Sequence, residues 1–426
     1  MNRRSSANLP VSIDWGETNS EHSSASDLET ALAILKTGDF QSRWDAAKVI
    51  PTFGEAAIAP LLDLLEAEAA DEAELPWFVA KILGNLNHPA AIDSLVRVLQ
   101  STQQSEVTAI AAVALANYGS AAIAPLTALL SQPATQLIAV QALAQVQHPA
   151  VVPPLLTVVN DSPADVRSAA IEALSHFYDP AITTALQAAL QDPNTAVRRA
   201  AVVALGIQAE QGDRQALTEM LSPLLWDLNP EVCRQVTVAL GRLGTDAAIE
   251  ALARGLCSAH TPIVLRLDIV QALIWVGTVA ALATLHQFLE ASSTNSGAAN
   301  FAVEQAIIIA LGRLENPEAQ RAASQLLLDL LHHQHPVAQT AQGQQYIARS
   351  LGQLRDPQAV EALIGLLSES NACVRLHAIS ALKQLEAAGS YQRLQALKAE
   401  APVLSAALRA GVETALQEWQ AHADVQ

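Results

Sequence analysis

The sequence predicts an all-α protein, an α-solenoid of about twelve stacked helical hairpins, and three observations support this. The first is repetition. Asp161, Val166, Arg167, Ala170, Ala173 and Leu174 recur as Asp192, Val197, Arg198, Ala201, Ala204 and Leu205, each 31 residues on. A fixed period of this size marks stacked supersecondary units. The second is composition: AVILMFWYC make up 51% of the chain but aromatics only 4%. Such a mixture suits many Ala- and Leu-lined helix contacts better than one thick core. The third is an anchor residue, usually in an ALG or ALx context, that can be followed through Ile50, Leu83, Leu115, Leu143, Leu174, Leu205, Leu240, Leu273, Leu311, Leu351, Leu382 and Leu416. The intervals run from 28 to 40 residues, the length of a two-helix unit.

Taken in order, residues 1–25 are rich in Ser and Asn and show no helical pattern, which predicts a disordered tail. Ser26 to Glu29 (SDLE) reads as a capping box that starts the first helix, so the solenoid is assigned to 26–426. Within the units, Pro89, Pro149, Pro180, Pro317 and Pro357 each follow His, Asp or Asn. Proline at the first helical position loses little, because its missing N–H would be unpaired there. Gly54, Gly119, Gly244 and Gly277 are placed in comparable turns. The most membrane-like run, 269–285, contains Gln271 and Gly277; a unit boundary at Gly277 predicts two short buried helices instead of a span. The longest intervals contain ASSTNSGAAN (291–300) and HHQHPVAQTAQGQQ (332–345), read as polar inter-helix loops and candidate contact loops.

Charge and motifs narrow the function classes. Lys and Arg number 24 against 42 Asp and Glu, a net charge of −18, which disfavours nucleic acid and anionic membranes and favours a basic client. Cys233, Cys257 and Cys373 stand alone, without disulfide or zinc spacing, which fits a reducing, cytoplasmic compartment. Arg3 and Arg4 are followed by no apolar segment, so no export signal is expected. His332, His333 and His335 lack metal-ligand spacing, and His88 and His148, each before Pro, are given a turn role. No phosphate-binding glycine loop, nucleophile–base arrangement or metalloprotease motif is visible, and no catalytic residue is named.

The repeated residues supply the candidate sites. Asp161, Asp192 and Glu369 precede Arg167, Arg198 and Arg375 by six, predicting acid–guanidinium pairs that fix how units stack. Seven before the anchor, Arg also appears as Arg43, Arg266 and Arg409 without that acid; Cys233 takes the same place and is read as packing. Trp44 and Trp77 hold equivalent positions in the first two units, with Lys48 and Lys81 four residues after them and Phe78 adjacent. Trp226 and Trp275 lie mid-chain near Arg234, Arg242 and Arg266. Large rigid indoles beside cations are what a recognition surface uses. The candidate partner- or ligand-binding set is therefore Arg43, Trp44, Lys48, Trp77, Phe78, Lys81, Trp226, Arg234, Arg266 and Trp275.

DSPADVRSAAIEAL and DPNTAVRRAAVVALG resemble HEAT repeats, with the pattern running over residues 28–420. They resemble in particular the short form in the E/F-type phycobilin lyases of cyanobacteria. The sequence is also similar to the IaiH-like HEAT proteins associated with A-type iron-sulfur scaffolds, in which RW and WF pairs like Arg43-Trp44 and Trp77-Phe78 occur. The first resemblance implies a phycobilin lyase, binding a phycocyanobilin-type bilin and delivering it to a client cysteine. The wider one implies a scaffold or chaperone-like factor for a protein client, either a phycobiliprotein subunit or an iron-sulfur scaffold. The expected binding surface is the side lined by the second helices, with aromatic and Arg anchors in an otherwise acidic groove.

Overall fold

The structure, a computed structural model, describes residues 21–66, 74–101, 105–160, 162–210, 212–293, 298–399 and 404–423. Among the described residues every regular element is helical, and the chain is an all-α solenoid of hairpins in two layers. It divides into two compact units, Met1–Phe177 and Tyr178–Gln426. In the first, the second-layer helices are Phe40–Val49, Glu74–Leu86, Ser105–Ala116, Gln136–Gln145 and Ala164–Leu174, each packed on the next. In the second they are Thr195–Ile207, Pro230–Leu243, Ile263–Val276, Ala298–Leu311, Ala341–Leu354 and Ala372–Gln384, followed by a closing helix, Ala406–Ala423. The first helices of the units form the other layer.

The anchor position explains the stack. Each anchor from Ile50 to Leu382 is 0% exposed, and Leu416 is 6% exposed; each burial contributes roughly 2 kcal/mol. The Gly that follows many anchors is a close-approach site. A Cβ at Gly84 would lie 2.7 Å from the Cα of Ala114, and one at Gly352 2.8 Å from the Cα of Ala381. The small residue one before the next anchor receives it, so second-layer backbones come together with almost no side chain between them. This is why the chain is rich in Ala and poor in aromatics.

The turns follow the chemistry of their residues. The Asp179 carboxylate accepts the N–H of Ala181 with Pro180 at the first helical position, and Asn316 does the same for Glu318 before Pro317. His148 Nδ1 accepts from Ala150 N at 3.1 Å and His88 Nδ1 from Ala90 N at 3.3 Å, so His-Pro substitutes for Asp-Pro. Gly54, Gly119, Gly244 and Gly277 all have left-handed φ, between 55° and 62°. The run 269–285 forms the helices Ile263–Val276 and Val279–Ser292, broken at Gly277. Among the described residues no helix is long and apolar enough to cross a membrane.

Two expectations are corrected. The first helix, Glu21–Thr37, begins before the SDLE box, and Ser26 inside it accepts the Thr30 hydroxyl through its carbonyl. Burial of Leu28, Ala31 and Leu35 drives this helix, and its first turns extend beyond the apolar pattern. The remainder of the tail assignment, residues 1–20, lies outside the described residues. The run 332–345 is not a polar contact loop. His335 is buried, its Nε2 lies 2.7 Å from the Leu289 carbonyl and its Nδ1 accepts the Val337 N–H, while Val337 and Ala338 are buried beneath it. The next helix, Ala341–Leu354, starts inside the stretch. The helix Val279–Ser292 likewise runs into the 291–300 stretch and Ala298–Leu311 begins within it; 294–297 lie outside the described residues.

Candidate functional site

The position seven before the anchor is a fastener. In several repeats the side chain there donates to a backbone carbonyl of the preceding turn. Arg198 reaches Asp192 O at 2.8 Å, Arg375 reaches Glu369 O at 2.8 Å and Arg167 reaches Ser162 O at 2.6 Å. Cys233 Sγ makes the same contact with Asp227 O at 3.2 Å, which is a packing role. Burial first, and the Asp227 charge next, push that thiol's pKa up, away from thiolate chemistry. Side-chain partners come from the following unit. Arg198 grips the Asp227 carboxylate at 2.7 and 2.8 Å, Arg43 reaches Glu74 at 2.9 Å and Gln344 reaches Glu369 at 3.1 Å. Asp192 and Glu369 thus offer backbone oxygens to the Arg of their own unit, and the Arg198 guanidinium finds its carboxylate, Asp227, one unit further on. Asp161 lies outside the described residues. The Arg198 hydrogen bond holds the Asp227 carboxyl below its ordinary pKa and raises the guanidinium's own.

Arg43 and Arg266 belong to this fastener. Arg43 is 5% and Arg266 8% exposed, and Arg266 bridges Ser258 O at 2.7 Å and Asn300 Oδ1 at 3.1 Å. Both guanidiniums are engaged between units and do not face a partner.

The other candidates of the first unit come together. Trp44 and Trp77 stack with ring centroids 6.3 Å apart and planes at 21°. Lys81 lies over both rings, 4.0 Å from the Trp44 centroid and 4.9 Å from that of Trp77. Lys48 stands 6.0 Å from the Trp44 centroid and pairs with Asp45 at 3.1 Å. Phe78 is fully buried, edge-on to Trp77 at 5.0 Å, and acts as the floor of the cluster. Phe40, 55% exposed and 6.1 Å from Trp44, joins the surface. It was not among the sequence candidates, although its place four residues before Trp44 puts both on one helix side. Trp44, Lys48, Lys81 and Asn85 line a groove of about 300 Å³.

In the second unit Trp226 and Trp275 line two adjoining grooves instead of one pocket. Trp275, 77% exposed, borders a space of about 210 Å³ with Val238, Arg242 and Gln271. Trp226, 50% exposed, borders one of about 360 Å³ with Leu228, Pro230 and Val264. Arg234 and Asp268 line both, and their pair at 3.4 Å divides them. Sequence reasoning did not single out a fourth, uncharged groove of about 620 Å³ in the first unit, between Ser105–Ala116 and Gln136–Gln145. The shortest anchor interval, 28 residues from Leu115 to Leu143, is the signal that marks it.

Stacked two-helix units with a sealed leucine seam and, at several joints, a side-chain fastener between neighbours define an α-solenoid repeat protein. The family model for HEAT repeats matches residues 28–116, 58–136, 123–206, 158–223, 182–274 and 338–413, and the chain belongs to the HEAT-repeat proteins. Among solved structures it is similar to importin beta crystallised from polyethylene glycol, with 13% identity over 87% of this chain and 61% of that one and a TM-score of 0.50. Two further likenesses have a TM-score of 0.25. Human deoxyhypusine hydroxylase is 21% identical over 68% of this chain and 96% of that one. The complex of CpcE and CpcF of phycocyanin lyase from Nostoc sp. PCC7120 is 20% identical over 71% and 98%. These likenesses concern the fold alone. No curated protein matches the chain.

Proposed function

We propose that this HEAT-repeat chain is a protein-interaction scaffold or chaperone-like factor whose second-layer face holds a client protein. Its client would be a phycobiliprotein subunit or an iron-sulfur scaffold, as the sequence resemblance implies, and the isolated cysteines fit a cytoplasmic setting. The reading rests on one observation: a chain with 4% aromatics leaves Trp275 77% and Trp226 50% exposed beside grooves, and Phe40 55% exposed against Trp44. Large apolar side chains left in water at such places favour a partner that covers them. Affinity capture from a cyanobacterial extract, with mass spectrometry, tests it. The expected result is a phycobiliprotein subunit or iron-sulfur scaffold retained by the parent chain and lost from Trp44→Ala/Trp77→Ala or Trp275→Ala. Retention of neither class would overturn it.

The second reading is a bilin lyase in which the indoles and cations hold an open-chain tetrapyrrole while a client thiolate attacks. The Trp44–Trp77 stack with Lys81 over it favours this reading, because a flat conjugated anion fits an indole face beside a cation. Mixing the protein with phycocyanobilin tests it through the visible spectrum. An unshifted spectrum at micromolar protein, alone and with a client subunit, removes it.

A further inference from the structure

Three places in each repeat face outward from the second layer: six before, two before and two after the anchor. They are four apart and so share one side of a helix. In the six second-layer helices of the second unit and the turns that end them, these places carry Arg199, Arg234, Arg242, Arg313 and Arg349, all exposed, and no Asp or Glu. The chain as a whole has a net charge of −18. The missing acids lie in the other layer, as Asp246 and Glu250, Glu318 and Asp329, and Glu361. At these outward places the second-layer face of the second unit is basic, where an acidic groove was expected.

Arg234 is balanced locally by Glu231 at 3.3 Å and Asp268 at 3.4 Å. Arg199, Arg242, Arg313 and Arg349 make no ion pair among the described residues. On helices, i,i+3 and i,i+4 partners are easily supplied, yet these four guanidiniums stand on a face whose three outward places carry no acid. Between them the same face exposes apolar Val203, Val238 and Trp275, 38%, 43% and 77% exposed.

We propose that this face of the second unit seats an acidic segment of a protein partner, its carboxylates meeting Arg199, Arg242, Arg313 and Arg349 and its apolar side chains meeting Trp275 and Val238. The inference rests on the protein-holding reading and names the chemistry of what is held. Neighbouring helices lie about 10 Å apart, so the guanidiniums are spaced like separated carboxylates on an extended peptide, each open to bidentate pairing. A nucleic-acid backbone fits less well, because it needs a continuous basic track, and here apolar residues interrupt the arginines.

The experiment uses the full chain and three labelled probes. They are a peptide alternating Glu with Leu and Phe, the same peptide with Lys for Glu, and a single-stranded oligonucleotide. Binding is read by fluorescence anisotropy. The acidic peptide is expected to bind, to weaken at least tenfold, about the loss of one good charge contact, in Arg242→Glu/Arg349→Glu, and to weaken with added salt; the Lys peptide is expected not to bind. Both arginines are exposed, so the variant should melt with the parent; if it does not, Arg242→Gln/Arg349→Gln replaces it. No binding of the acidic peptide, equal binding by the variant, or tighter binding of the oligonucleotide overturns the proposal. A client captured equally by parent and charge-reversed chains sinks this face alone, whereas no client on the parent chain sinks the protein-holding reading.

Discussion

Asp227 illustrates how a single side chain serves two units. It accepts both Arg198 bonds through its carboxylate and the Cys233 thiol through its carbonyl, and its side chain is 8% exposed. Asp227→Asn should therefore lower stability by about 3 kcal/mol at neutral pH, the cost of leaving a largely buried guanidinium unmatched, measured by urea melts. Because Arg198, with help from the Asn229 N–H, depresses the folded pKa of this carboxyl, its stabilisation is complete above the unfolded value of about 4. It is lost as pH falls through the lower folded value. The parent should lose stability through that acid window and the Asn variant should lose less; parallel curves would refute the assignment. Arg355 gives a prediction of opposite sign. It holds a left-handed φ of 54° at a helix end where other units use Gly244 and Gly277, so Arg355→Gly should gain up to about 1 kcal/mol, seen as a raised Tm. At this scale the sequence showed which residue types recur but not which neighbour they meet. The six-residue spacing of Asp192 and Arg198 pointed to a pair within the unit, while the actual carboxylate partner, Asp227, sits 29 residues on.

At the scale of helices, the contact between a Gly after one anchor and a small residue before the next determines how near second-layer backbones come. Gly352→Val should cost about 1–3 kcal/mol by overpacking against Ala381. Gly365→Ala, where a Cβ meets nothing within 4 Å, should be neutral or slightly stabilising. Thermal melts of the two variants compare them, and equal losses would refute the close-approach reading. Helix order, the anchors and the His-Pro turns were legible because each recurs at a fixed place, so one unit explains the others. The 332–345 stretch was not, since its polar composition hides a buried turn held by His335, whose acceptor at Leu289 is remote in sequence. The Trp44–Trp77 stack was legible as two equivalent positions; Phe78 was misjudged as surface because it lies one residue further round the helix and points into the core.

For the molecule as a whole, net charge describes a total and not a distribution. Among the described residues of the second unit, Asp246, Glu250, Glu318, Asp329 and Glu361 lie on first-layer helices, and the outward places of the second-layer face are basic. If an acidic segment docks there, client retention should fall steeply as ionic strength rises through the range where the Debye length drops below about 10 Å. The first unit's surface, built on indole stacking, should be far less sensitive. Retention measured across a salt series, with Trp275→Ala and Arg242→Glu variants in parallel, separates the two surfaces. Equal salt response in every variant would remove the electrostatic contribution. The expectation of a basic client came from summing charges along the chain, which does not register how they are distributed over the helix faces.

Because Arg43–Glu74, Arg198–Asp227 and Gln344–Glu369 each have their donor in one repeat and their carboxylate in the next, these joints have a built-in direction. Duplicating or excising a block keeps every joint mated only where both breaks fall at the same point of the period. A cut elsewhere that separates Arg43 from Glu74, or Arg198 from Asp227, strands a guanidinium at one edge and an acid at the other. Growth or shrinkage of such a gene is thereby confined to whole-period steps.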